Sequence, residues 1–182
     1  MKYIAFLRGI NINGKNKISM ALLKEGFISL GYKDVLTYLN SGNVIFSSSE
    51  DKDCITENVH FMIKEKFEFD IPVYIITSSE LDDILRNSPK WWGTGDKKIY
   101  DNIIFVIPPM TCDEIYNVIG ETKKDVEIVK KYKNIYFWSY KRDCYRKSNW
   151  WVKTASTSIS NSITIRTGNT VKKVLELSKT YN

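Results

Sequence analysis

Ten residues near the start of this 182-residue chain, Arg8-Gly9-Ile10-Asn11-Ile12-Asn13-Gly14-Lys15-Asn16-Lys17, gather one arginine, two lysines and three asparagines around two glycines. Arginine and lysine supply charge-assisted donors, and an asparagine amide both donates and accepts. The set suits an anion: Arg8 would clamp a carboxylate or phosphate, Asn11 and Asn13 would orient it, and Lys15 and Lys17 would neutralise it. A second polar stretch, Asn40-Ser41-Gly42-Asn43, adds Asn40, Ser41 and Asn43 to the same candidate ligand-binding set. No nucleophile–base pair can be read, so no catalytic residue is named; any chemistry would rest on positioning and electrostatics. The competing reading is that these asparagines and glycines only satisfy turns that need local bonding and positive φ.

Gly9 to Lys15 also matches G-x-x-x-x-G-K, between a strand and a helix. A nucleotide P-loop needs Ser or Thr next, for the metal, and this chain has Asn16. The helix also begins several residues too late to cradle a phosphate, so an NTPase is not indicated.

A different chemistry is offered by residues 130–153, where basic and aromatic side chains alternate. Lys131, Tyr132, Trp138, Arg142, Arg146 and Trp150 are the candidates there for holding single-stranded nucleic acid, rings stacking on bases and cations following phosphates. Against it, alternate aromatics of Ile135–Tyr140 also fit a core, and Asn43–Phe46 lacks the aromatic-glycine signature of RNA-binding sheets. A third candidate is a protein-interaction module anchored by Trp91-Trp92, with burial of both rings between two halves as its competitor.

The elements that must position these residues follow from periodicity. Tyr3–Leu7 reads as a strand, and Met20, Leu23, Phe27 and Leu30 line one face of a helix capped by Ser19 and stopped by Gly31. Gly26 weakens that helix by roughly 1 kcal/mol relative to alanine, so tertiary packing must support it. Val35–Leu39 and Val44–Phe46 form a hairpin through Asn40–Asn43, a helix runs over 53–67, and Val73–Thr77 is a strand. Ser78 caps a short helix. The order then repeats: a strand at Asn102–Ile107, a helix opened by the capping box Thr111-x-x-Glu114, strands at Val126–Val129 and Ile135–Tyr140, a helix near 149–155 and a strand at Ile163–Ile165. A last helix capped near Asn169 buries Val171, Val174 and Leu175.

This is an α+β fold, a tandem duplication of two ferredoxin-like (βαββαβ) halves with an extra C-terminal helix. The expected division is 1–86, a linker at 87–101, and 102–182. In a split βαβ unit the loop after the first strand and the hairpin between the second and third strands share one end of the sheet, so Arg8–Lys17 should face Asn40–Asn43.

Composition bounds the rest. The net charge of +6 divides unevenly: residues 1–88 carry 10 basic against 12 acidic side chains, and residues 89–182 carry 17 against 9. That asymmetry marks either an anion-binding surface or a solvated lysine-rich face. Cys54, Cys112 and Cys144 are few and widely spaced, as in the reduced thiols of a cytoplasmic protein, and Arg8 interrupts any signal-like run. A single histidine leaves too few ligands for zinc, no cofactor is expected, and no run is long enough for a membrane span. The partner expected first is a small anionic ligand, ahead of nucleic acid.

Leu7–Ile18, Tyr38–Phe46 and the tail Ile165-Arg166-Thr167-Gly168-Asn169-Thr170-Val171 together resemble a family, the bacterial domain of unknown function 1697. The resemblance covers the whole chain. Asn13 stands where a glycine is frequent and Gly168 where many members carry tryptophan. It implies the duplicated ferredoxin-like fold and no established reaction, ligand or catalytic residue.

Overall fold

A computed structural model describes residues 1–12, 14–156 and 158–181. In chain order the first half holds β1 (Lys2–Leu7), α1 (Met20–Ser29), β2 (Lys33–Tyr38), β3 (Asn43–Ser47), α2 (Lys52–Phe67), β4 (Val73–Thr77) and α3 (Ser78–Arg86). Its antiparallel sheet runs β2-β3-β1-β4, with β1 in the centre pairing Ile4 to Ile45 on one side and to Ile76 on the other. Strand alternation sends Tyr3, Ala5 and Leu7 into a helix-covered core with Leu23, Phe27 and Val59. Tyr32 stacks on Phe46 there, ring centroids 4.8 Å apart.

Local chemistry sets the helix ends. The Asp51 side chain caps α2 by accepting from Cys54 N (2.9 Å). α3 is opened by Thr77 rather than the expected Ser78: the Thr77 hydroxyl accepts from Glu80 N (3.1 Å), and Glu80 reaches back to Thr77 N (2.9 Å), a reciprocal box. α1 has Ser19 in the N-cap position as expected, but its hydroxyl makes no capping bond.

The second half repeats the plan with β5 (Ile99–Val106), α4 (Cys112–Ile119), β6 (Glu127–Tyr132), β7 (Ile135–Lys141), α5 (Asn149–Ser156) and β8 (Ile163–Thr167), followed by α6 (Gly168–Thr180). Its sheet runs β6-β7-β5-β8, again antiparallel, with β5 taking the central place of β1. The fold is therefore α+β, two four-stranded ferredoxin-like halves with a C-terminal helix. The Thr111–Glu114 capping box forms as expected. Two 3₁₀ segments, Arg142–Lys147 and Ser158–Ser162, have no counterpart in the sequence-based reading.

Two compact units divide the chain, residues 84–171 and residues 1–83 with 172 onward, so the boundary falls inside α6. Residues 87–101, expected as a linker, lie within the second unit, and β5 begins among them. The end of α6 is bound into the first unit by Ser178 Oγ to Ser78 Oγ (2.7 Å), Lys179 Nζ to Asp82 (2.6 Å) and Lys2 Nζ to Tyr181 O (2.7 Å).

One buried carboxylate organises the second core. Glu127, at the start of β6, accepts from Lys123 N (3.1 Å), Trp138 Nε1 (3.1 Å), Ser148 Oγ (2.5 Å) and Asn149 N (2.8 Å). It caps α5 from outside that helix and fixes a core tryptophan at the same time.

Candidate functional site

The antiparallel returns bring the loop after β1 and the β2–β3 turn to the same end of the sheet. Leu7 N donates to Gly42 O (2.8 Å) and Arg8 N to Pro72 O (2.9 Å), so the end of β1 is held from both sides. Asn11 then closes the loop. Its Oδ1 accepts from Ile18 N (2.9 Å), and its Nδ2 donates to Ile18 O (2.9 Å) and across to Asn40 O (2.9 Å). Asn16 Nδ2 holds Gly9 O (3.1 Å). Asn43 is fully buried and donates to Tyr38 O (2.8 Å) and Ser41 Oγ (3.0 Å). The amides of Asn11 and Asn43 thus build the two loops, and Asn13 lies outside the described residues.

The loops are also conformationally demanding. Asn11 (φ 55°), Asn16 (φ 46°) and the exposed Leu39 (φ 55°) all occupy the left-handed region, which a leucine seldom visits. Gly42 has φ 73°, and a Cβ there would lie 2.7 Å from Leu7 Cβ and 2.9 Å from Ile10 Cδ1. Only glycine lets the hairpin approach β1 this closely.

Between the loops opens a cleft of about 650 Å³ whose lining includes Asn11, Gly14, Lys17, Ser19, Met20 and Asn40. It receives the N-terminal end of α1. The first intrahelical bond runs from Leu23 N to Ser19 O (2.9 Å), so Met20 and Ala21 carry N–H groups without an intrahelical acceptor. Among the described residues the Lys17 ammonium has no acidic partner and the Asn40 side-chain amide no hydrogen bond. The helix dipole and Lys17 act in the same sense, favouring negative charge. The described lining holds no acid, histidine or cysteine, so its charge comes from Lys17 and the helix terminus.

The sequence-based set is divided by this geometry. Asn11, Lys17 and Asn40 line the cleft, whereas Arg8, Lys15, Ser41 and Asn43 do not. Lys15 is exposed on the same turn, its N–H donating to Ile12 O (2.9 Å). For Arg8 the pleat decides: Tyr3, Ala5 and Leu7 face the helices, which puts Arg8 with Ile4 and Phe6 on the opposite face. Burial lowers the Arg8 pKa from its ordinary 12.5, although an arginine keeps its charge at physiological pH. Sequence reasoning misses Ser19, Met20 and Ala21 as candidates, although a serine N-cap close behind a lysine is a signal for such a site.

The basic-aromatic segment is rearranged as well. Trp138 and Trp150 are 1% and 0% exposed, so neither offers a face to a base. Their indoles donate inward, to Glu127 Oε2 and to Gly120 O (3.1 Å each). Lys131 pairs with Asp113 (2.6 Å), and Tyr132 is half-buried. Arg142 lies over the Tyr100 ring at 4.8 Å and Arg146 over Tyr145 at 5.6 Å. Of the tryptophan pair, Trp92 is buried, donating to Asn102 O (2.8 Å) and lying against Gly168, while Trp91 is half-exposed.

Among the described residues no cluster of His, Cys, Asp and Glu could hold a metal, and no helix is long and apolar enough to cross a membrane. The family description "Protein of unknown function (DUF1697)" matches residues 1–136, a span that includes both loops of the cleft. In fold the chain is similar to the conserved bacterial protein SP0830 from Streptococcus pneumoniae. That similarity has a TM-score of 0.86 and 25% identity over 97% of this chain and 98% of the other. No curated protein matches the chain.

Proposed function

The chain belongs to the DUF1697 family of proteins of unknown function, and on that premise we propose that its first half binds a small anionic ligand at the α1 N-terminus. The ligand's charged group is taken by the N–H groups of Met20 and Ala21 and by Lys17, with Asn40 and the Ser19 hydroxyl orienting it and Lys15 at the approach. One observation carries this reading. The cleft collects donors that the fold leaves uncommitted, while the asparagines beside it are bonded to the loops that shape it. A carboxylate or a phosphate satisfies the same donors.

Inorganic phosphate and acetate serve as probes, followed through backbone amide NMR signals. The expected result is movement of the Met20 and Ala21 signals, with Lys17→Ala weakening the stronger probe roughly five-fold, the size of one charge-assisted contact at a half-open site. Arg8→Ala should leave that affinity unchanged. Stationary Met20 and Ala21 signals at millimolar concentrations of both probes would rule the reading out.

A further inference from the structure

A second cleft, of about 730 Å³, opens within the second half. Ile99, Ile128 and Tyr140 come to it from β5, β6 and β7, whose ends are adjacent through the pairings Ile99–Lys141 and Glu127–Tyr140. Trp91 and Thr94 arrive from the chain before β5, and Thr122 and Lys124 to Val126 from the chain before β6. Aliphatic and aromatic surface with a few polar groups, in a volume of several hundred cubic ångströms, is the usual make-up of a small-molecule site.

The two adjacent tryptophans show what is unusual. Trp92 is buried and its indole N–H is bonded to Asn102 O at 2.8 Å, as a settled core indole should be. Trp91 is half-exposed on the cleft, and among the described residues its indole N–H has no acceptor. The same holds for the Thr122 hydroxyl, also in the lining. Three other polar groups of the lining are occupied: Asp96 accepts from Lys98 N (2.9 Å), Ser139 donates to Asp101 (2.5 Å), and Glu127 accepts from Lys123 N and Asn149 N.

Charge selects among ligands. The lining holds Lys124 and Lys141 against Asp96, Asp125 and Glu127, so it has no positive field to draw a phosphate. We infer that this cleft binds a planar, uncharged heteroaromatic molecule of the nucleoside class, its ring stacked on Trp91 and its polar edge met by the Trp91 indole and the Thr122 hydroxyl. Stacking on one aromatic side chain holds a base without regard to sequence or charge.

Adenosine and cytidine are the probes, read on the intact protein through its five tryptophan indole N–H signals. The Trp91 signal is identified by its loss in Trp91→Phe. The expected result is that either nucleoside moves the Trp91 signal, and that Trp91→Ala weakens binding roughly ten-fold, the loss of one base–aromatic stack. Trp91→Phe keeps part of the affinity, and Lys17→Ala changes nothing. Adenosine 5′-monophosphate should bind no tighter than adenosine, at low or high salt. An unmoved Trp91 signal with both nucleosides overturns the inference without needing any variant to fold. Binding of the monophosphate about ten-fold tighter than adenosine would make this an anion site and overturn it too. Benzyl alcohol binding as well as adenosine would show only an apolar hollow, and the inference would fall on that result also.

Discussion

A carboxylate that accepts from three separate stretches of chain leaves no place for an amide in its stead. Glu127→Gln would turn an NH₂ group toward the Trp138 indole N–H or toward the N–H groups of Lys123 and Asn149, leaving buried donors opposed either way. We expect a loss of about 1–3 kcal/mol in urea unfolding, against little or none for the exposed Glu121→Gln. Gly42 is the corresponding point in the first half. Gly42→Ala has to accept a left-handed φ and an overlap with Leu7 Cβ, which cannot swing aside. About 2 kcal/mol or more of destabilisation should follow in denaturant titration, together with loss of any phosphate response at Met20. At this scale legibility in the sequence is uneven, for physical reasons. The facing of the two loops is legible because strand direction alone dictates it. Continuing the Tyr3-Ala5-Leu7 alternation by one residue is enough to remove Arg8 from the cleft. Glu127 is not legible, because its donors are separated in sequence and only folding brings them to one carboxylate.

Helices show the opposite balance between local and distant causes. Gly26 reads in the sequence as the weak point of α1, and the reason it is there lies on α2: a Cβ would sit 2.5 Å from Met62 Sδ. Helix propensity favours alanine by roughly 1 kcal/mol, while the thioether end of Met62 would have to move. The two effects separate in a double-mutant cycle. Gly26→Ala should be neutral or destabilising alone, yet stabilising by up to about 1 kcal/mol in a Met62→Ala background, measured by thermal and urea unfolding. Capping follows residue chemistry at α2, α3 and α4, though not at α1, where Ser19 makes no capping bond. Thr111-x-x-Glu114 is recognisable because the box is a four-residue pattern. Thr77-x-x-Glu80 is the same pattern, masked because Ser78 beside it is also a cap residue. The 3₁₀ turn at Arg142–Lys147 has no such signature, since cation–π contacts to Tyr100 and Tyr145 accompany it rather than a local code.

For the molecule as a whole, the tandem α+β plan is legible because each half needs only its own alternation of periods, whereas the course of the chain between units is not. One bulk property is shared by both halves. Burial pushes the Cys112 thiol up to about 11, and also raises Tyr136 and Tyr140 in the second half; in the first, Tyr32 rises to about 12 through burial and its bond to Glu50. Each group holds its proton more tightly folded than unfolded, so its contribution is intact below the unfolded pKa and is lost as pH rises through the folded one. Stability should therefore be flat near neutrality and fall from about pH 9 upward, where an unfolded thiol begins to ionise. Urea midpoints against pH would show this, with Cys112→Ala flattening the first part of the decline. The attachment of residues from 172 onward to the first unit has a consequence for synthesis. A ribosome makes β1 first, but Lys2 waits for Tyr181, 179 positions later, before its bond can close. Halves usually form from the N-terminus onward as they emerge, but here the contiguous second unit, 84–171, is complete while the first still lacks its final strap. Emergence of the segment around Tyr181, rather than the making of the opening strands, is the event that finishes the half carrying the cleft at the start of α1.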